Sequence, residues 1–275
     1  MCNMGLGDPC QGENAKGNQK VVKYSEFEVW RSASIERMSS DAELASLGRN
    51  WFARANSLGY SYHFEWLGRP IIQYPSDVMA LQEIIWRTKP SLIVEAGIAH
   101  GGSVVFSASM LALLDVCEPP AARRPKGREV VAIDIDIRPE SGGLVRDHPL
   151  ASRITLLEGS STDPEIVDRV ERRADQSDRV MVILDSNHTH EHVLAELRAY
   201  GPFVSQGCYL VVMDTVIEHL PPDSFPDRPW GVGNSPMTAV EEFLIGSRDF
   251  VVDEAVTDKL AFSVAPRGYL LRISS

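Results

Sequence analysis

Two aspartates and a histidine-rich run are the residues of this sequence best suited to chemistry. The apolar run RVMVILDS (179–186) ends in Asp185, followed by Asn187-His188-Thr189-His190-Glu191-His192. A second run, CYLVVMDTV (208–216), carries Asp214 and Thr215 at its end. Ends of neighbouring strands in a parallel sheet lie close together, so Asp185 and Asp214 can converge. Two hard carboxylate oxygens suit Mg²⁺, which keeps positions open for substrate hydroxyls. A metal there lowers the pKa of a bound hydroxyl and orients it. The histidines pose an alternative, because His188 and His192 with Asp185 make up the donor set of an Fe(II) oxygenase. By analogy such iron sites ride on β-sandwiches, and the pattern here is different. His190 and His192 otherwise read as helix-start residues with no chemistry.

A glycine-rich turn is the second feature. SLIVEAG (91–97) reads as a strand running into Glu95-Ala-Gly97-Ile-Ala-His100-Gly101-Gly102-Ser103 and then a helix. Glycines let the backbone approach a ligand, and the helix start offers unpaired amides. The spacing E-x-G-x-x-x-G-G-S departs from the dinucleotide G-x-G-x-x-G. A carboxylate at Glu95 suits a cationic cofactor better than a pyrophosphate, which disfavours an NAD-dependent oxidoreductase. The next strand ends in Asp134 and Asp136, placed to accept hydrogen bonds from ribose hydroxyls. The third ends in Gly159-Ser160-Ser161-Thr162-Asp163, whose hydroxyls can border an adenine.

The elements that must position these groups follow a regular alternation from residue 75. Pro75 opens the helical segment DVMALQEIIWRTK, which Pro90 stops. Strands are expected at 91–97, 129–136, 154–159, 179–186 and 208–216, with helices at 102–116, 163–174, 190–201 and 235–247. DFVVDEAV and GYLLRIS supply two late strands, expected as a hairpin-like edge. Continuous β-branched runs indicate strands buried on both faces, so the fold class is α/β with a doubly wound, mostly parallel seven-stranded sheet. Residues 1–20 are glycine-rich and polar and read as disordered. Residues 21–74 form a helical and aromatic extension, in which Tyr60–Tyr74 is an irregular loop over an apolar surface, and residues 75–275 form the cofactor-binding domain.

Composition narrows the partners. The 275 residues carry a formal charge of −11, against a nucleic-acid partner, which demands a basic surface. No stretch approaches the roughly 20 apolar residues of a membrane span. Cys2, Cys10, Cys117 and Cys208 show neither metal-ligand spacing nor disulfide density. A cytoplasmic homo-oligomer acting on a small molecule is expected. The long loop EHLPPDSFPDRPWGVGNSP offers Phe225, Arg228, Trp230 and Asn234 to frame an acceptor such as a sugar ring. Tyr62, His63, Phe64 and Trp66 offer a second wall, and Glu218 and His219 alternative acid/base groups.

Together, E-x-G-x-x-x-G-G-S, the acidic end of the second strand and G-S-S-x-D resemble the class I methyltransferases. More closely, the run from Pro75 to Leu244 resembles the cephalosporin hydroxylase and rhamnosyl O-methyltransferase family. The likeness rests on LIVEAGIAHGGSVVFSASML, VILDSNHTHEHVLAELRAYGPFV and NSPMTAVEEFL. The resemblance implies a Rossmann-like, S-adenosylmethionine-dependent O-methyltransferase assisted by Mg²⁺, acting on a sugar or other natural-product hydroxyl, as in antibiotic biosynthesis. It implies Glu95, Gly97, Gly101 and Ser103 at the methionine end of the cofactor, Asp134 or Asp136 at the ribose, and Ser160 and Ser161 at the adenine. Asp185 and Asp214 become the metal ligands and His188 the general base. Some relatives carry an acidic residue beside the second aspartate; Met213 and Thr215 stand there instead, which makes Thr215 the candidate third ligand. The same family leaves room for an accessory or oxygenase role in β-lactam tailoring.

Overall fold

In a computed structural model of the chain, residues 19–119 and 127–274 are described. The stretch expected to be disordered, with Cys2 and Cys10, lies outside the described residues up to position 18, whereas Gln19 and Lys20 already open a helix, α1 (Gln19–Ser39). Helix α2 (Ala42–Asn56) follows, its first turn capped by Asp41, which accepts from the Leu44 amide at 2.9 Å. Phe52 of α2 is buried and stacks on Tyr74 at 4.6 Å, and Trp51 meets Phe262 at 4.4 Å. These rings dock the extension on the rest of the chain. In contrast, Phe27, Val29 and Trp30 of α1 are exposed.

The segment read as an irregular loop is instead a β-hairpin, and this corrects the expectation. After a 3₁₀ turn at Tyr60–His63, strand β1 (Phe64–Trp66) pairs antiparallel with β2 (Arg69–Ile71). The two-residue turn places Leu67 (φ 47°) and Gly68 (φ 81°) in the left-handed region, as a primed hairpin turn requires. Leucine at the first of those positions hid the signal. Helix α3 (Pro75–Thr88) then starts on proline and stops at Lys89, which adopts φ 49° ahead of Pro90.

The main sheet contains β3 (Leu92–Ala96), β4 (Glu129–Asp134), β5 (Ile154–Glu158), β6 (Val180–Leu184), β7 (Tyr209–Val212), β8 (Phe250–Val252) and β9 (Tyr269–Arg272). Their spatial order is β5-β4-β3-β6-β7-β9-β8, with β6 in the middle, β3 beside it and the first five parallel. The late strands are no simple edge hairpin: β9 inserts antiparallel between β7 and β8. Nor does DFVVDEAV stay extended, because Glu254–Asp258 forms the short helix α9. The other helices are α4 (Gly102–Cys117), α5 (Pro139–Arg146, not anticipated), α6 (Pro164–Ala174), α7 (His190–Tyr200) and α8 (Pro236–Gly246).

Strand alternation divides the core in two. Ile93, Val130, Ile183 and Val211 face α3 and α4, while Val94, Val131, Val182 and Leu210 face α6, α7 and α8. Both strand faces are therefore apolar, as the continuous runs demanded.

Asp77 of α3 is fully buried where the C-terminal loop crosses it. It accepts from Ser263 Oγ at 2.5 Å, Tyr269 Oη at 3.0 Å and the Val264 amide at 3.3 Å. Burial pushes its carboxyl up to about 6, against these hydrogen bonds, which pull it down. The folded value lies above the unfolded one of about 3.9, so folding takes up a proton. This contribution is fully present below about pH 4 and is lost as the pH rises through about 6. The stability of the native chain relative to Asp77→Asn is expected to fall by up to about 3 kcal/mol across that window. Urea titrations at a series of pH values read this directly, and a flat difference would show that the carboxyl does not titrate in the folded state.

Candidate functional site

The carboxyl ends of β3, β4, β6 and β7 open on one crevice, at the edge where ligands bind in open α/β sheets. Gly97, Ala99, Asp134, Ser160, Ser161 and Asn187 line a cavity of about 250 Å³ there. A larger hollow, about 800 Å³, lies at the opposite ends of the strands beside Ser91 and Arg128. Arg128 is already paired with Asp115 and Glu118, and none of the motif residues faces that side. The motif residues gather at the smaller cavity.

The glycine turn is shaped by close approach. Gly97 adopts φ 97°, and a side chain there would run into the carbonyl oxygen of Asp185. Asp134 accepts from the Ile98 amide at 2.8 Å and the Ala99 amide at 3.4 Å through Oδ2, and from the Asp136 amide at 3.2 Å through Oδ1. It therefore braces the glycine turn while lining the crevice. Asp136 is exposed and pairs with Arg138 at 3.6 Å. Glu95 does not project into the crevice. Strand alternation turns it toward α4, where it is 1% exposed and accepts from Ser107 Oγ at 3.0 Å. Ser103 also hydrogen-bonds it, and burial pushes the carboxyl up to about 7 against these two bonds. Gly101 caps α4 at φ 83°. Ser160 contacts Thr162 Oγ1 at 3.0 Å, and Ser161 meets His192 at 3.1 Å.

Asp185, His188 and Asp214 come together: one ligand atom from each lies within 4.8 Å of the others. His188 Nε2 is 3.4 Å from Asp214 Oδ2. Burial, and after it the charge of Asp214, pushes the Asp185 carboxyl well up. Two facing carboxylates in a half-buried site invite a cation to neutralise them, so this donor set fits Mg²⁺. Asp214 takes a left-handed conformation, φ 56° and ψ 20°. Thr215 does not join the cluster: it is fully buried, and its hydroxyl donates to the Pro266 carbonyl at 2.6 Å. The iron triad is not assembled either. His192 Nε2 lies instead against Ser161 Oγ, Ser186 Oγ (3.3 Å) and the buried Glu196 (3.3 Å). His190 links α7 to Thr238 and Glu242 of α8.

Gln73 was not anticipated. It donates through Nε2 to Asp185 Oδ2 at 2.9 Å, and only the hairpin places it there, so no local motif could have revealed it. Trp230 from the long loop meets the His188 ring edge-on at 4.8 Å, and the Arg228 guanidinium lies over the Trp230 ring at 5.2 Å. Glu218 fastens that loop, accepting from Ser235 Oγ at 2.6 Å and the Gly233 amide at 3.0 Å. Asn234 is likewise committed, receiving the His190 amide at 2.9 Å and donating to the Pro229 carbonyl at 2.7 Å. Phe225 packs against the core.

The seven-stranded sheet, with its glycine turn at the end of β3, defines a Rossmann-like methyltransferase fold. Among solved structures, CmcI described with Mg and SAM covers 78% of this chain and 78% of its own, with 20% identity and a TM-score of 0.52. Residues 58–273 match the family model for rhamnosyl O-methyltransferase/CmcI. The rhamnosyl O-methyltransferase of Mycobacterium tuberculosis is 32% identical over 205 residues, covering 72% of this chain and 73% of that protein. That of Mycobacterium leprae is 30% identical over 215 residues, covering 75% and 82%. The chain belongs to the rhamnosyl O-methyltransferase/CmcI family and, with it, to the S-adenosylmethionine-dependent O-methyltransferases. The nicotinamide alternative falls with that assignment.

Proposed function

We propose that the chain methylates a hydroxyl of a sugar or similar group on a natural product, with Asp185 and Asp214 holding Mg²⁺ and His188 taking the proton. The observation that carries this reading is the meeting of Asp185, His188 and Asp214 beside the crevice of the glycine turn. When bound, the metal lowers the pKa of the acceptor hydroxyl and S-adenosylmethionine supplies an electrophilic methyl group. The protein does the rest by placement. Asp134 keeps the turn in shape for the ribose end, and Ser160 and Ser161 border the adenine. Glu95 acts from behind the wall, where its ionised form favours a sulfonium in front of it. His188, beside Asp214 and flanked by Trp230, is the imidazole positioned to take the acceptor's proton.

No helix of the described residues is long and apolar enough to cross a membrane. A cytoplasmic homo-oligomer fits the acidic composition and the uncovered apolar side chains of α1, and light scattering tests the assembly. Calorimetry with S-adenosylmethionine and with NAD, followed by turnover of a rhamnoside with and without EDTA, tests the activity. Binding of the first cofactor alone and loss of turnover in EDTA are expected; NAD binding would overturn the assignment of the crevice. Trp230→Ala is expected to raise the acceptor KM about tenfold, the scale of a lost ring contact with its buried area, with cofactor affinity preserved.

A further inference from the structure

Gln73 lies buried in the connection between β2 and α3. Its Nε2 donates to Asp185 Oδ2 at 2.9 Å. An ionised carboxylate only accepts, so this contact fixes which end of the amide faces it. Oε1 must then turn away from Asp185, and among the described residues it has no hydrogen-bond partner. Buried amide oxygens are rarely left in that state. Gln73 and Asp185 share a narrow cavity with Glu95, Ser103 and Ser107. Its volume, about 10 Å³, admits one water molecule and no more. The rest of the wall is apolar. Ser107 donates to Glu95 Oε2 at 3.0 Å and Ser103 also hydrogen-bonds Glu95, so both hydroxyl protons are committed. Two acceptors remain for the two protons of a water: Gln73 Oε1 and the Glu95 carboxylate.

We propose that one water occupies this cavity, donating to Gln73 Oε1 and to Glu95, and that Gln73 is a positioning residue that ties Asp185 through it to the wall of the cofactor site. The inference rests on the reading of Asp185 as a ligand of Mg²⁺ and adds how that ligand is held. Glu95 belongs to β3 and Asp185 follows β6, its neighbour in the sheet. Glu95, the water, Gln73 and Asp185 then form one chain of hydrogen bonds from the strand of the glycine turn to the strand end that bears the metal ligand. Methyl transfer needs the donor carbon and the acceptor oxygen aligned closely, and a misplacement of about 1 Å costs about a hundredfold. Hydrogen bonds from behind a metal ligand set its direction, and this chain sets it against the cofactor.

A crystal structure of the native protein with S-adenosylhomocysteine and Mg²⁺ tests the water directly. Density for a single water within hydrogen-bond distance of Gln73 Oε1 and Glu95 is expected; a dry cavity, or a water that touches neither, overturns the bridge. Calorimetry tests the positioning. Gln73→Met keeps the length of the side chain but removes its amide. With S-adenosylhomocysteine present, its Mg²⁺ affinity is expected to fall about tenfold, the lower end for loss of a partner behind a metal ligand, while its affinity for S-adenosylhomocysteine stays native. A role in packing alone would lower the metal-free Tm and leave Mg²⁺ affinity in place, and that result overturns the proposal. Mn²⁺ gives a second readout, because its EPR line shape follows ligand direction: a changed spectrum in Gln73→Met is expected, and a native one overturns the role. If the native protein binds no Mg²⁺, the metal reading fails and takes this role with it. Native Mg²⁺ affinity in Gln73→Met removes the role of Gln73 alone.

Discussion

Asp185→Asn is expected to lower kcat by about three orders of magnitude, while S-adenosylmethionine binds with nearly native affinity. The scale is that of metal assistance to a developing alkoxide, several kcal/mol at tenfold per 1.36 kcal/mol. Asparagine is the informative replacement because it keeps the size of the side chain and an oxygen for Gln73 Nε2, which now donates at 2.9 Å. It removes only the charge. Burial, and after it the facing charge of the partly exposed Asp214, raises Asp185, so the variant is expected to be at least as stable as the native chain without metal. Mg²⁺ should raise the native Tm by mass action and leave that of the variant in place. Native turnover in Asp185→Asn would remove the metal from the mechanism.

The second large effect concerns the backbone. Gly97→Ala is expected to cost on the order of 4 kcal/mol of folding stability, summing left-handed strain and an overpacked contact. S-adenosylmethionine affinity should fall at least tenfold, because the turn cannot relax without moving the Asp185 carbonyl. Gly68→Ala is the control. Its φ is also positive, but nothing lies within 4 Å of the added carbon, so only about 1–2 kcal/mol is expected. Chemical denaturation of the two variants separates strain from collision; equal costs would show that the close approach does not matter.

The sheet was legible from sequence because its strands carry their own signature: LIVEA and VMVIL are apolar at every position but Glu95 and sit at the centre. Asp185 and Asp214 were legible for the same reason, since each ends such a run in adjacent strands. What escaped depended on side-chain direction or distant contacts. Glu95 was read as facing the cofactor, yet strand parity sends it to the serines of α4. Thr215 follows Asp214 in sequence but turns inward to Pro266. The hairpin was hidden because its turn begins with leucine rather than asparagine or glycine, and with the hairpin went Gln73. The position of β9, inserted ahead of β8, is a tertiary choice that two short apolar runs cannot encode.

Asp214 occupies backbone territory that glycine enters freely and aspartate enters at some expense. Any screen that rewards heat resistance alone will favour glycine at 214, and the winners will be sturdier proteins without the carboxylate proposed to hold Mg²⁺. Libraries meant to harden this catalyst should therefore leave position 214 untouched and seek their gains elsewhere.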